Sequence, residues 1–478
     1  MKFPPRLLLS LLFLVFLPGC ETAPVAHYPT EQDPVKAAKI HAILERSIQV
    51  LGGRANLEKL TGWEVETIME VEPGGAHFPC QNWQKFTGEY RVEIHTPAVG
   101  ALVEGFDGEH GWRENKVLGF GPMSGAEIAA ARRNISAHMA LKVEQTHPGR
   151  RLLPSQEIGG KNCDVIEMSG VDGVAEKWFF EAASGQLVRE ERPGEPGHPQ
   201  GVVLEYSDFR PMGDVYTTAY VTKRTEGNRT LTFRVQKIVL NPVLDPDRFS
   251  APAGAFQDYA KTEEILQRYL QAAGGAAALN RIHSRVTHTT VDTTTAGIKS
   301  SVVLSVKQPN LVLNEQDIPG IGHMVQGYDG HTAWASSEMQ GYRVLQGAER
   351  QQLISSANLQ MEAGLAQLYN LRKFAGERTV DGHRTAVVSL GNMQGVAGLH
   401  YFDTETGRLL RVETNFSTGP KGILKATVDF SDFRKVDGVL IAFKTTINNP
   451  AMRLIITIDS VVNNVPLEDT IFRPRKDD

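Results

Sequence analysis

Two copies of one short segment carry the first candidate chemistry. Ser207-Asp208-Phe209-Arg210 and Ser431-Asp432-Phe433-Arg434 each set a carboxylate two residues from a guanidinium. Such a pairing suits general acid–base work, but no nucleophile accompanies it, so a turn-stabilising role is expected instead. Of the 14 His, His283 and His288 could share a strand, yet five apart they would face opposite sides of it, a poor start for a metal site. Trp63, Trp83, Trp112, Trp178 and Trp334 could line a pocket, with core packing as the default. The chain has no Gly-x-Ser-x-Gly, no Gly-x-x-x-x-Gly-Lys-Ser/Thr and no His-Glu-x-x-His. The expectation is a protein that is not an enzyme and uses no cofactor or metal.

One cysteine stands in a context with chemistry of its own. Lys2 and Arg6 precede a largely apolar run, Leu7 to Leu17, of 11 residues. That is too short for a spanning helix and suits the apolar part of an export signal. It ends in Leu17-Pro18-Gly19-Cys20, which resembles the bacterial lipobox, where a diacylglycerol is attached to the Cys before cleavage. Pro18 departs from the more usual Ala or Ser. Residues 1–19 are expected to be a lipoprotein signal peptide and Cys20 the lipidated residue, so the membrane is a partner through an N-terminal anchor. Residues 20–34 are polar with Pro24 and Pro29, a tether reaching roughly 20 Å. Glu21 is not the Asp that favours retention in the inner membrane, which leans towards the outer membrane facing the periplasm.

Composition narrows the remainder. Of 478 residues, 41% are hydrophobic and 22% charged, an ordinary globular make-up. Lys plus Arg number 50 against 55 acidic residues, a formal charge of −5 with no basic excess for nucleic acid. Three Cys cannot build a disulfide scaffold or a four-Cys zinc site.

The chain is a tandem duplication. Leu51-Gly52-Gly53, Gly105-Phe106-Asp107-Gly108, Trp112, Phe180 and Gly185 recur 222 residues later as Ala273-Gly274-Gly275, Gly327-Tyr328-Asp329-Gly330, Trp334, Phe402 and Gly407. The Ser-Asp-Phe-Arg segments are 224 apart, and Phe249 and Phe472 are 223 apart. Each copy is long enough for a whole domain, expected at 35–252 and 262–478 with a linker at 253–261. Cys80 and Cys163 have Val302 and Thr385 as counterparts, so a disulfide, left open by the spacing, would belong to the first copy alone.

The elements follow one grammar in both copies. Asp33-Pro34 caps a helix whose stripe is Ile40, Ile43, Leu44, Ser47, Ile48 and Leu51, stopped by Gly52-Gly53. The second stripe is Ile265, Leu266, Tyr269, Leu270 and Ala273. A mid-domain helix starts at Ser124 with the capping box Ser-Gly-Ala-Glu127; its counterpart is expected from about Ala348 to Leu371. Late strands alternate, as in Leu231, Phe233, Val235 and in Leu454, Ile456, Ile458, which marks antiparallel strands with one apolar face. So much apolar sheet with two helices must curve around them. The fold class expected is β-rich α+β: two tandem domains, each a curved antiparallel sheet forming an unclosed β-barrel capped by helices.

These features together resemble the outer-membrane lipoprotein-sorting domains LolA and LolB. The resemblance rests on the lipobox, the helix ending in Gly-Gly, the mid-domain helix, the turn Phe402-Asp403-Thr404-Glu405-Thr406-Gly407 and the close from Asn464-Val465-Pro466 to Phe472. It covers roughly 35–252 and 262–475. Members fold as an unclosed barrel whose apolar interior receives acyl chains, which implies a lipid or lipoprotein ligand here. Leu231, Phe233, Val235, Leu454, Ile456 and Ile458 are the candidate cavity walls. LolB is itself a lipoprotein but has one domain, whereas this chain has two. Its branch carries a hairpin whose apolar tip meets the membrane. Thr96-Pro97-Ala98-Val99-Gly100 and Ile318-Pro319-Gly320-Ile321-Gly322 resemble it, with Val99 and Ile321 at the tips, against the alternative of side chains tucked back. The function expected is a non-enzymatic lipoprotein binding lipid or acyl chains, for lipoprotein sorting or lipid transport. The alternative is a structural or regulatory lipoprotein that binds a protein partner, whose identity the sequence does not give.

Overall fold

The computed structural model describes residues 30–475 except 98, 126, 129–138, 171–172, 195–199, 214, 360–364, 366–367, 393–396 and 418–422. Cys20, the signal segment and most of the tether lie outside the described residues.

The first copy opens with α1 (Pro34–Val50) and a short α2 (Arg54–Leu57). Asp33 accepts hydrogen bonds from the Val35 and Lys36 amides with Pro34 at the first helical position, and Ile40, Ile43, Leu44, Ser47 and Ile48 form the buried stripe. Gly52, at φ 128°, ends it. The strands are β1 (Gly62–Glu72), β2 (Ala76–Lys85), β3 (Tyr90–Thr96), β4 (Gly100–Phe106), β5 (Gly111–Asn115) and β6 (Gly119–Pro122). After α3 (Met139–Thr146) come β7 (Gly149–Ile158), β8 (Lys161–Ser169), β9 (Ala175–Glu181), β10 (Leu187–Arg192), β11 (Val202–Met212), β12 (Tyr216–Glu226) and β13 (Arg229–Leu240). The capping box forms: the Ser124 amide donates to Glu127 Oε2 at 2.7 Å and the Glu127 amide to Ser124 Oγ at 3.3 Å.

The second copy repeats the order. It has α4 (Ala255–Ala272), α5 (Gly275–Leu279), β14 (Ser284–Thr293), β15 (Ile298–Lys307), β16 (Leu311–Ile318), β17 (Gly322–Tyr328), β18 (Ala333–Ser337) and β19 (Arg343–Val344). Then come α6 (Gly347–Ser356), β20 (Leu371–Val380), β21 (His383–Gly391), β22 (Ala397–Asp403), β23 (Leu409–Ser417), β24 (Ile423–Val436), β25 (Val439–Asn448) and β26 (Arg453–Asn463). Two expectations are corrected. The linker expected at 253–261 is helical from Ala255, because Tyr259 packs beside Val103, Trp112 and Phe120 and Thr262 is fully buried. The helix expected to run to Leu371 gives way earlier, since Leu371 opens β20 and is itself fully buried.

Two compact units are present, and they divide the chain differently from the two copies. The first holds residues up to 92, 106–108 and 124–249; the second holds 93–105, 109–123 and 250 onward. In the first, an antiparallel ladder runs β7-β8-β9-β10-β11-β12-β13-β1-β2 without closing into a barrel. Helix α1 lies on it, its Ile40, Ile43 and Leu44 packing with Val143, Ile166, Met168, Trp178 and Phe180. In the second, the ladder runs from β20 through β26 to β14 and on to β19, again unclosed. Strand β6 of the first copy is paired there with β20, Phe120 opposite Arg372. Leu102, Leu118 and Leu371 form one buried cluster beside it.

Shared packing explains the repeated sequence motifs. Trp112 and Trp334 are fully buried. A Cβ on Gly105 would lie 2.4 Å from the Trp112 ring, and one on Gly327 would lie 2.5 Å from Trp334. Only glycine admits the ring.

Candidate functional site

The first unit encloses a cavity of about 570 Å³, within the usual range for small-molecule sites. Its walls come from inward rows of the sheet. On β1 these are Trp63, Val65 and Thr67; on β2, Cys80, Asn82 and Gln84; on β13, Phe233, Val235 and Ile238. Alternation alone would turn Ile238 outward. A bulge at Gln236, where Glu66 pairs with Lys237 but Thr67 with Val235, restores it to the inner face. Leu44, Ser47 and Val50 of α1, Leu51 directly after it, and Ala140 and Val143 of α3 also line it.

On β11 the backbone turns left-handed at one residue without any change of register. Asp208 has φ 53°, while the pairing continues in register, Ser207 opposite Val221 and Phe209 opposite Ala219. Tyr206 and Phe209, three apart, both line the cavity. Arg210 grips Asp208 with bonds of 2.9 and 2.6 Å and lies over Tyr220, its guanidinium 4.6 Å from the ring centre. Asp432 repeats the conformation with φ 51°, and Arg434, bonded to it, lies over Phe443. In both Ser-Asp-Phe-Arg segments the carboxylate is thus engaged by the Arg two residues on.

The cavity holds a buried ionic network. Glu190, 1% exposed, accepts from Tyr206 Oη at 2.8 Å and from Arg192 Nη2 at 2.7 Å. Glu176 accepts from Trp178 Nε1 at 3.2 Å and lies 3.7 Å from Arg192 Nε. Burial works against the Arg192 charge, but Glu190 and Glu176 outweigh it and hold the guanidinium above its ordinary value. Burial, followed by Glu190, pushes the Tyr206 phenol well up, so it remains a donor. Burial also pushes the Cys80 thiol up to about 11, which keeps it protonated and unreactive. With both Glu190 oxygens engaged, the network suits a fixed wall better than proton transfer. An apolar space with a few placed polar groups is a receptacle for an amphiphile.

Several solved structures are similar to part of this chain. A LolA superfamily protein from Nitrosomonas europaea is 14% identical with a TM-score of 0.32, covering 44% of this chain and 97% of that one. A DUF1329 family protein from Desulfovibrio piger is 13% identical with a TM-score of 0.33, over 44% and 96%. Lipoprotein LppX from Mycobacterium tuberculosis is 14% identical with a TM-score of 0.21, over 43% and 98%. No family model matches the chain, and no curated protein does.

The residues singled out from the sequence separate into groups. Phe233 and Val235 line the cavity, whereas Leu231, opposite Val71, lies beyond its wall. Leu454, Ile456 and Ile458 are half-buried on β26 opposite Thr293, Val291 and Thr289. Val99 is no free tip: it packs against Leu102, Leu118 and Leu371. The cause is Asn115, 2% exposed, whose Nδ2 donates to the Val99 and Ala101 carbonyls at 2.9 and 2.7 Å. The second copy has Ser337 and Gln340 where Asn115 and Leu118 stand, and Ile321 is 43% exposed. Cys80 and Cys163 are both free and buried, so no bond joins them. Of the tryptophans, Trp63 and Trp178 line the cavity and Trp112 and Trp334 are core. His283 and His288 form no metal cluster, and none occurs among the described residues.

Asn82, Gln84, Glu190 and Tyr206 were not anticipated. A signal existed in the duplication itself: their counterparts in the second copy are Leu304, Val306, Val412 and Phe430. Leu304 and Val306 there pack into a core with Val312, Tyr328 and Leu345.

Proposed function

We propose that this chain is a non-enzymatic lipoprotein of the bacterial cell envelope that binds a lipid, or the acyl chain of a lipoprotein, in the cavity of its first unit. The observation that carries the reading is that cavity, walled by Phe233, Val235, Ile238, Trp63 and Phe180 and lined also by α1 and α3. An acyl chain needs apolar walls and room rather than a nucleophile and base. The protonated Cys80 and the engaged Glu190 agree with a role in holding rather than reacting. Lipid attached at Cys20 would tether it to the outer membrane, facing the periplasm, where sorting or transport of acylated molecules is the fitting task. No helix among the described residues is long and apolar enough to cross a membrane.

The test is organic extraction of the protein purified without detergent, followed by mass spectrometry. An acyl lipid near one per chain is expected. Protein that yields no lipid and takes up no neutral apolar probe would refute the reading.

A further inference from the structure

The polar atoms of the cavity define the head of the molecule it holds. On one wall, Trp63 Nε1, Gln84 Nε2 and Asn82 Oδ1 are buried without a hydrogen-bond partner. Gln84 is only 6% exposed. Buried polar groups are paired in the great majority of cases, and an orphan loses its hydration for nothing. Three orphans on one wall therefore form a polar subsite. They are neighbours by register: Trp63 is directly opposite Gln84, and Val65, next along the inward row, is opposite Asn82. Two donors and one acceptor thus share one wall of the cavity.

The charges decide which head group fits. Among the described residues lining the cavity there is no Lys or Arg, and Glu190 is the charged one. Arg192 behind it is shared by Glu190 and Glu176, two carboxylates against one guanidinium. An ionised carboxylate or phosphate head would add an anion to this buried site with no free cation to meet it, which desolvation forbids. A neutral carbonyl with a hydroxyl or N–H nearby meets all three orphans.

The fold itself does not require polar residues at the positions of Asn82 and Gln84. At the matching positions the second copy carries Arg285, Leu304 and Val306 in place of Trp63, Asn82 and Gln84. Resting on the reading that the cavity holds an acyl chain, we propose that its ligand is a neutral acyl ester or amide. Its carbonyl oxygen takes hydrogen bonds from Trp63 Nε1 and Gln84 Nε2. Its hydroxyl or N–H donates to Asn82 Oδ1.

The experiment is competition on the full-length protein at pH 8, with the neutral fluorophore N-phenyl-1-naphthylamine displaced by monoolein or by oleate. Monoolein is expected to displace it at concentrations at least about tenfold below oleate. The double variant Asn82→Leu/Gln84→Val, which installs the second copy's residues, is expected to keep the fluorophore and lose the preference for monoolein. Oleate competing as well as monoolein against the unaltered protein overturns the proposal, and so does a folded double variant that keeps the preference. If the double variant does not fold, the order of the two competitors on the unaltered protein decides. Failure of the unaltered protein to bind the fluorophore refutes the cavity reading itself, a result distinct from binding without head-group preference.

Discussion

Tyr206 on β11 donates its phenolic hydrogen to Glu190 on neighbouring β10 at 2.8 Å, inside the cavity of the first unit. Arg192 takes the other carboxylate oxygen at 2.7 Å. Removing Arg192 would leave a buried carboxylate without its countercharge, which costs about 3–5 kcal/mol. Removing the Tyr206 hydroxyl deletes one bond to a charged group, about 1–3 kcal/mol. Urea unfolding should therefore rank Arg192→Met as more damaging than Tyr206→Phe. The triple change Glu190→Val/Arg192→Thr/Tyr206→Phe, matching Val412, Thr414 and Phe430 of the second copy, should recover most of the loss. A triple variant as unstable as Arg192→Met would show that the network holds the unit together rather than decorating its cavity.

Added volume separates a cavity wall from packed core. Phe233 borders open space, so Phe233→Trp is expected to weaken probe binding while moving Tm by only a few degrees, roughly 1 kcal/mol. Ile456→Phe, at the matching place in the second copy, should leave binding in the first unit unchanged. A large fall in Tm with normal binding for Phe233→Trp would show a filled interior.

His400 gives the protein an acid-sensitive element. It is 6% exposed, and burial depresses its pKa from 6.5 to about 4. The unfolded chain takes up that proton as pH falls below about 6.5, while the native state does so only near 4. Stability is thus fully present above pH 6.5 and is lost as pH falls through this window, by about 3 kcal/mol. Denaturant midpoints between pH 7.5 and 4.5 should show the slope, and His400→Phe should flatten it. Equal slopes in both proteins would mean that other groups carry the acid sensitivity.

The compact units, unlike the copies, predict how the chain can be cut. Fragment 250–478 lacks β6, the partner of β20, and the Leu102 and Leu118 side chains that cover Leu371. Exposing Leu371 and Tyr259 removes at least about 3 kcal/mol of burial. The fragment should melt several degrees below the matching transition of the full chain, and a chain starting at residue 93 should restore it. Equal melting of both fragments would assign β6 no structural part.

Metabolic labelling addresses the start of the chain. Palmitate should label the unaltered protein and not Cys20→Ser, which should move to the soluble fraction. In that variant the buried Cys80 and Cys163 should resist Ellman's reagent until denaturant is added. Unchanged labelling and fractionation would remove Cys20 from the account.

The sequence alone determined the duplication, the caps, the Gly-Gly stops and the inward rows of the late strands. These depend on local chemistry: Asp33 bonds the first turn of α1, and alternation places Phe233 and Val235 on one face. It also contained, in the contrast of Gln84 with Val306 and Glu190 with Val412, the asymmetry between the copies. Three things were decided only in the tertiary structure. The bulge at Gln236 changed which residues face inward, because one extra residue inverts a period of two and the pattern does not mark it. Asn115 pulled Val99 back from its turn through two carbonyl bonds that link residues 14 to 16 apart. The hand-over of β6 to the second unit depends on Phe120 meeting Arg372. Such long-range pairing follows from the whole sheet's register and is invisible to any local pattern.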